Sequence, residues 1–248
     1  MILFVSGRCD IPAFYNDWFF HRLAAGFVDV RNPFHAHQIS RIPLVEGNVD
    51  AIVFCTKNPL FLAQRLDEIP FPYLIHVTLT PYHKDIEPFV PQKEAVIETI
   101  RQISEAIGKK RIVVRYDPIL LNDRYDVAYH AKAFERLAMR LCDHVETVIL
   151  SFVDLYQNTR VHMREMGMRR MEEADMHALG RVIGAIGRAY GMKLQTCGEN
   201  VDLHSYGIEK GACISKQIME DLLGHPYEGS KGKPVRGCGC IPTVDIGD

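Results

Sequence analysis

Residues 50–59 read DAIVFCTKNP, an apolar run that ends in polar residues and a proline. A run of about four to six apolar or β-branched residues closed by turn residues is typical of a β-strand. The pattern occurs again in ILFVSGRCD (2–10), FVDVRNP (27–33), YLIHVTLTPY (73–82), RIVVRYDPIL (111–120), TVILSFVDLY (147–156) and KLQTCGEN (193–200), and QISRIPL (38–44) can pair beside the second run. Such nearly continuous apolar runs are typical of strands buried on both faces of a parallel sheet.

Segments with helical periodicity lie between these runs. In residues 91–108 the apolar side chains of Val96, Ile100, Ile103 and Ile107 fall on one helix face, and Gly108 is a typical C-terminal stop. Further helical segments are PAFYNDWFFHRLAAG (12–26), PLFLAQRLDEI (59–69), DVAYHAKAFERLAMRLC (126–142), EEADMHALGRVIGAIGRAYG (172–191) and SKQIMEDLLG (215–224). An alternation of strands and helices indicates a parallel sheet covered by helices.

Two architectures of this α/β class compete, a (β/α) barrel and an open doubly wound sheet. The segment after the first strand, SGRCDIP, lacks the G-x-G-x-x-G phosphate loop of dinucleotide-binding folds. The sequence therefore favours a TIM-like (β/α) barrel, partial or irregular. We expect it to span residues 1–224, with residues 225–248 as a cysteine-containing tail that packs on it.

Composition narrows the class of protein. With 248 residues, 47% of them hydrophobic, the chain can bury the core of one large domain. A net charge of -2 gives no global basic field that would attract nucleic acid or a membrane. The N-terminal segment lacks the features of a signal peptide, and no apolar run approaches the length of a membrane span. The seven cysteines do not resemble a secreted disulfide framework, so the sequence predicts a cytoplasmic protein.

Charged and amide side chains follow most of the predicted strands. In a barrel the carboxyl ends of the strands meet at one mouth, where ligands bind and chemistry takes place. The candidate catalytic residues are Lys57, Asp117 and Glu199. The candidate substrate-binding residues are Arg8, Asp10, Arg31, Asn58, Arg115 and Asp154.

Structural roles compete with these functional ones. Asp10 and Asp117 precede turns and can cap the next helix. Arg115 and Asp117 lie two positions apart on a strand and can pair with each other. Lys57 can hold an anion or form a Schiff base, but a salt bridge to a neighbouring carboxylate is the more ordinary role of such a lysine.

The seven cysteines divide into two groups. Cys9, Cys55 and Cys142 lie beside apolar residues and are expected to be core thiols. Cys197, Cys213, Cys238 and Cys240 all lie in the last fifth of the chain. Four thiolates are what a tetrahedral zinc ion or an iron–sulfur cluster requires, although these spacings match no standard motif. Cys238 and Cys240 would form a strained disulfide, so we expect the four to share one metal centre.

A family resemblance adds to this interpretation. The segments SGRCDIPAFYNDWFFHRL, VRNPF, FCTKNP, LTPYHKDIEP, RYDPILLND, SFVDLY, TCGENVDL and CGCIPTVDIGD occur in this order from Ser6 to Asp248. Together they resemble the family called domain of unknown function 1848. Members typically continue past DIG into a further cysteine cluster that resembles the iron–sulfur motif of radical S-adenosylmethionine enzymes. The resemblance implies iron–sulfur chemistry and possible use of S-adenosylmethionine, and the sequence here ends at Asp248, where that motif would begin.

Three functions are therefore compared. The first is an iron–sulfur enzyme related to radical S-adenosylmethionine chemistry, and the second is a zinc enzyme using acid–base chemistry through Asp117 and Glu199. The third is a non-enzymatic nucleic-acid-binding module that contacts phosphates through Arg160, Arg164, Arg169, Arg170, Lys231, Lys233 and Arg236. The substrate, a small molecule or a nucleic acid, and the oligomeric state are not determined by the sequence.

Overall fold

The computed structural model describes residues 1–32, 34–154, 160–229 and 238–247, the side chains of residues 36 and 160–162 excepted. Its strands are β1 (Ile2–Val5), β2 (Phe27–Asn32), β3 (His35–Pro43), β4 (Ala51–Thr56), β5 (Tyr73–Thr78), β6 (Ile112–Ile119), β7 (Thr147–Phe152), β8 (Lys193–Cys197), β9 (Ile208–Gly211) and β10 (Val244–Asp245). Its α-helices are α1 (Ile11–Phe14), α2 (Asn16–Ala25), α3 (Leu60–Ala63), α4 (Lys93–Ile107), α5 (Val127–Leu141), α6 (Arg160–Glu165), α7 (Glu173–Ala189) and α8 (Lys216–Leu223). Short 3₁₀ turns occur at Leu66–Glu68, Lys109–Arg111 and His204–Tyr206.

Eight strands form one sheet in the order β10-β1-β4-β5-β6-β7-β8-β9. Every neighbouring pair in this sheet is parallel. The predicted α/β class and parallel sheet are confirmed. Within the described residues no pairing joins β9 to β10, so the sheet is not shown to close into the predicted barrel. The closing contact would need two strands of four and two residues to pair, and each has a partner on only one side.

The strands β2 and β3 form a separate antiparallel pair, as the sequence allowed. This hairpin follows α2 and precedes β4, and among the described residues no strand pairing joins it to the main sheet. An exposed ion pair between Arg41 and Asp29, 2.7 Å long, links its two strands. Arg31 is exposed on this hairpin rather than at the end of a strand of the main sheet.

The two faces of the main sheet pack against different partners. Because side chains alternate along a strand, residues two apart point to the same face. Leu3, Ile52, Ile75, Val114 and Val148 point to the face that carries the large core and helices α4, α5 and α7. The opposite face, which we call the α8 face, carries Ile2, Val53, Leu74, Val113 and Ile149, packed against Ile214, Met219 and Tyr227.

The ends of the helices are fixed by side-chain caps where the sequence offers them. The Asp126 carboxylate accepts a hydrogen bond from the Tyr129 N–H at the start of α5, and Ser215 does the same for Ile218 at the start of α8. The segment at residues 12–26, expected to be one helix, is interrupted at Tyr15 and becomes α1 and α2. In the described part of the chain, no helix has the length and apolar character needed to cross a membrane.

Candidate metal centre

Three cysteines from separate parts of the chain meet on the α8 face. Cys197 is the last residue of β8, Cys213 follows β9 by two residues, and Cys240 lies in the C-terminal tail. Their sulfur atoms all lie within 4.8 Å of one another, and those of Cys213 and Cys240 are 3.3 Å apart. A backbone hydrogen bond of 3.0 Å from Ile241 N to Ile214 O holds the tail beside the Cys213 loop. A group of three thiols with this spacing can hold a metal ion.

The fourth predicted cysteine is placed differently. Cys238 is part of the described chain, but it does not belong to the group formed by Cys197, Cys213 and Cys240. Gly239, between Cys238 and Cys240, has a φ of 69°, a left-handed conformation that glycine adopts without strain. The chain therefore turns between the two cysteines, and only Cys240, which is 5% exposed, joins the group.

The thiol group lies beside a half-buried cation. Arg115 is two positions after Val113 on β6, so its side chain points to the α8 face toward the cysteines. The neighbouring thiols of Cys197 and Cys240 lower the pKa of Cys213, and the Arg115 guanidinium lowers it further. Hydrogen bonds with Cys197 and Cys213 raise the pKa of Cys240, because in them Cys240 keeps its proton. The arrangement thus favours a thiolate at Cys213, the form that binds metal.

Arg115 also has a carboxylate partner. Its Nη2 atom lies 2.5 Å from Oδ2 of Asp117, and the two side chains are 17% and 14% exposed. The predicted pairing within one strand is confirmed. The guanidinium therefore has a carboxylate on one side and the Cys213 thiol, to which it also hydrogen-bonds, on the other.

Glu199 connects the ends of two neighbouring strands. Its Oε1 atom accepts a hydrogen bond of 2.8 Å from the N–H of Phe152, the last residue of β7. Burial raises the pKa of Glu199, and the negative charges of Asp154 and Cys197 raise it further. Asp154 itself is exposed. Glu199 and Asp154 therefore lie at the edge of the sheet where the parallel strands end, which we call the carboxyl edge.

Asp10 and Lys57 meet at the same edge. Asp10 accepts from the N–H of Ala13, as the N-cap of α1, and its other oxygen accepts from the Lys57 N–H at 2.7 Å. The capping role considered for Asp10 is confirmed. Its carboxylate also ties the end of β4 to the first helix.

The Lys57 ammonium group is held by a carboxylate that the sequence reading missed. Its Nζ atom lies 2.5 Å from Oε1 of Glu87, whose side chain is 9% exposed. Glu87 also accepts from Lys93 at 2.5 Å and from the Thr80 hydroxyl at 2.7 Å. Burial alone would raise the pKa of Glu87, but hydrogen bonds from Lys57 and Lys93 lower it overall. The salt bridge considered for Lys57 is confirmed.

The remaining predicted residues make local contacts. Arg8 lies 3.8 Å from Asp245, whose carboxylate also accepts from the Ser6 hydroxyl at 2.6 Å. Asn58 accepts from the Leu60 N–H and donates its own N–H to Thr56, which shapes the turn after β4. Arg31 is not brought to the carboxyl edge, because it belongs to the separate hairpin.

Of the residues proposed for nucleic-acid contact, Arg164 and Arg170 are exposed, whereas Arg169 is paired within the protein. Arg169 forms an ion pair of 2.5 Å with Asp175 and so is partly neutralised. Lys231, Lys233 and Arg236, and the side chain of Arg160, lie outside the described residues.

Two cavities differ in their relation to the cysteines. The larger, of about 630 Å³, lies between α4 and α5 on the opposite face of the sheet from the cysteines. A smaller cavity of about 310 Å³ is lined by Cys213 together with Lys110, Lys193 and Gln195. Of these two cavities only the smaller is lined by one of the three cysteines, so cavity size alone does not locate the candidate centre.

Comparisons with known proteins agree with the resemblance seen in the sequence. Among curated proteins no match is found. A family model matches almost the entire chain, from residue 2 to residue 248. The chain therefore belongs to the family described as domain of unknown function (DUF1848).

Proposed function

We propose that this protein is a metal-dependent enzyme whose metal is held by Cys197, Cys213 and Cys240. The observation that carries the proposal is the convergence of these three thiols, from β8, the loop after β9 and the tail, to within 4.8 Å. Hydrogen bonds between free thiols are weak, so a shared ligand is the stronger reason for three thiols of separate segments to meet. Beside them lies Arg115, a half-buried cation that stabilises a thiolate at Cys213.

The spacing supports a single four-coordinate ion such as zinc. Zn–S bonds of about 2.3 Å in a tetrahedron place the sulfur atoms about 3.8 Å apart. The observed sulfur atoms lie within 4.8 Å of one another, so only a small adjustment is needed. Three protein ligands leave the fourth position for water or substrate, which is the arrangement of catalytic rather than structural zinc sites.

An iron–sulfur cluster is the second candidate, suggested by the resemblance of the family's further cysteine cluster to the iron–sulfur motif of radical S-adenosylmethionine enzymes. In a cubane cluster each thiolate binds a different iron atom, so the sulfur atoms stand farther apart around the cluster. The loop of Cys213 and the tail of Cys240 would then have to separate from their present contact of 3.3 Å. Radical chemistry with S-adenosylmethionine depends on this second candidate.

Each nearby side chain has a role that follows from its position. A zinc ion would polarise a bound carbonyl or lower the pKa of a bound water. Arg115, oriented by Asp117, would bind an anionic group of a small-molecule substrate. Glu199, fixed by the Phe152 N–H, is placed at the carboxyl edge to transfer a proton. Lys57 is held by Glu87 and serves as a charged cross-link rather than a nucleophile.

Metal analysis with matched cysteine variants tests this proposal. The protein is purified anaerobically without chelator, and zinc, iron and acid-labile sulfide are measured per chain. We expect one zinc ion in the wild type and in Cys238→Ser, and almost none in Cys213→Ser. A brown wild-type protein that contains equal amounts of iron and sulfide would instead identify an iron–sulfur cluster at this site, provided that both are lost in Cys213→Ser. Equal metal content in Cys213→Ser and Cys238→Ser would overturn the shared site.

A further inference from the structure

A second site is indicated by the cavity between α4 and α5, which we call the α4–α5 cleft. Its volume is about 630 Å³, within the range of about 300–1,000 Å³ that is typical of small-molecule pockets. Its walls include Leu79, Ile97, Tyr116 and Leu137. The cleft lies on the face of the sheet that carries the large core, so it is separate from the cysteines.

The rim of the cleft is strongly basic. Four cationic side chains, Lys93, Lys132, Arg136 and Arg140, and one carboxylate, Glu94, line it. Two of the cations are neutralised within the protein, because Lys93 pairs with Glu87 and Arg140 pairs with Glu94. Lys132 and Arg136 are exposed and have no ion-pair partner among the described residues.

The spacing of these charges on α5 adds to the argument. Lys132, Arg136 and Arg140 are four residues apart, so they lie one above another on the same side of the helix. Like charges at this spacing destabilise a helix. An anion bound between Lys132 and Arg136 would relieve this repulsion, while its apolar part would cover Ile97 and Leu137.

We propose that the α4–α5 cleft binds a small amphiphile with one anionic head group, such as a carboxylate, and an apolar body. The apolar walls favour an apolar body. Lys132 and Arg136, which lack an ion-pair partner in the described part of the chain, favour a negatively charged head group. Because the cleft contains none of the three clustered cysteines, this proposal is independent of the metal centre and of the reaction proposed for it.

Competition with an uncharged apolar fluorophore tests the proposal. The probe is N-phenyl-1-naphthylamine, and the competitors are octanoate, octan-1-ol and octylammonium, which share an apolar chain but differ in charge. We expect octanoate to displace the probe at the lowest concentration. The double variant Lys132→Gln/Arg136→Gln should lower the affinity for octanoate by about tenfold, since a hydrogen bond to a charged group is lost. Its affinity for octan-1-ol should not change. Arg181→Gln, which removes an exposed arginine of α7, is the matched control.

Charge reversal gives a second, independent outcome. In Lys132→Glu/Arg136→Glu, octylammonium should become a better competitor than octanoate. Both substituted residues are exposed, and circular dichroism checks that α5 is retained. Equal competition by octanoate and octylammonium in the wild type would overturn the proposal. So would octanoate binding that is unchanged in a folded double variant.

Discussion

The sulfur atoms of Cys213 and Cys240 lie 3.3 Å apart, although 27 positions separate the two residues along the chain. The contact joins the loop after β9 to a tail that also contributes β10 to the opposite edge of the main sheet. A ligand that holds both thiols would therefore fix the tail at two points. Metal binding and the order of the tail should therefore be coupled.

Removal of the metal should loosen residues 238–247 before it affects the rest of the protein. A metal that binds only the folded state stabilises it by about 4 kcal/mol at a thousandfold excess over its dissociation constant. We expect a chelator to increase hydrogen exchange at Ile241, whose N–H bonds to Ile214, and to lower the melting temperature. In Cys240→Ser the chelator should have no further effect. If exchange at Ile241 is the same with and without chelator, the tail is ordered by packing alone.

An open coordination position should be detectable by substituting cobalt for zinc. The visible absorption of Co²⁺ changes when a new ligand enters its coordination shell, so azide can serve as a probe anion. We expect azide to change the spectrum of the wild type, and about tenfold more azide to be needed in Arg115→Gln, because a charge-assisted hydrogen bond is lost. A spectrum that does not respond to azide would identify a closed, structural site.

Asp10 should contribute more to stability than an ordinary helix cap. Its carboxylate caps α1 and also accepts from the Lys57 N–H at 2.7 Å. Asp126, which caps α5 through Tyr129, provides the matched comparison. We expect Asp126→Ala to reduce the free energy of unfolding by about 1 kcal/mol. Asp10→Ala should reduce it by about 1–3 kcal/mol more, because the Lys57 N–H loses its acceptor. If urea titrations give the same loss of unfolding free energy for Asp10→Ala and Asp126→Ala, the contact with the Lys57 N–H contributes nothing.

The Glu87 network should make stability depend on acid pH. The pKa of Glu87 is lowered in the folded state by Lys57 and Lys93, so the unfolded state binds the proton more readily. The stability that Glu87 contributes is therefore complete above the ordinary glutamate pKa of 4.5, and it is lost as the pH falls through the lower, folded-state pKa. Glu87→Gln should lower the free energy of unfolding by about 1.5–3 kcal/mol at pH 7. It should also reduce the dependence of that free energy on pH at acid pH, which we call the acid limb.

The exposed Glu98, 3.5 Å from Arg101, gives the control for that variant. Its replacement by glutamine should change the free energy of unfolding by less than about 0.5 kcal/mol, since solvent screens such pairs. If Glu87→Gln and Glu98→Gln give the same pH profile, the buried network is not responsible for the acid limb.

The local sequence pattern was sufficient to predict most strands and helices, but not the two edge strands of the main sheet. The strands β1 to β8 and the helices α4, α5, α7 and α8 correspond to apolar runs and periodic segments of the sequence. The sequence reading missed β9, because only Ile208 of its four residues is buried, and it missed β10, which has two residues. Both depend on pairing with distant strands rather than on local preference.

The candidate site was predictable from two signals, the ends of the parallel strands and the grouping of four cysteines in the last fifth of the chain. Arg115 and Glu199 were identified because parallel strands end at one edge of the sheet. Glu87 was not, because it lies in the loop before α4 and has no distinctive spacing. The distinction between Cys238 and Cys240 could not be drawn either, since spacing along the chain does not specify the turn at Gly239.

Gly184 of α7 lies where the helix packs against the turn before β9. Gly184 is buried on α7, and a Cβ atom at this position would overlap the carbonyl oxygen of Tyr206. The 3₁₀ turn at His204–Tyr206 leads directly into β9, and β9 leads to Cys213. The helix can therefore approach the turn closely only because residue 184 has no side chain.

Alanine ordinarily stabilises a helix by about 1 kcal/mol relative to glycine. In Gly184→Ala we expect the opposite, a loss of about 1–3 kcal/mol from overpacking, because the atom in the way belongs to the backbone and not to a flexible side chain. The displaced turn should also shift β9 and Cys213, so zinc affinity should fall together with stability. Urea titration and zinc competition on the same preparation measure the two effects. If Gly184→Ala is more stable than the wild type and binds zinc equally well, α7 does not position the cysteine loop.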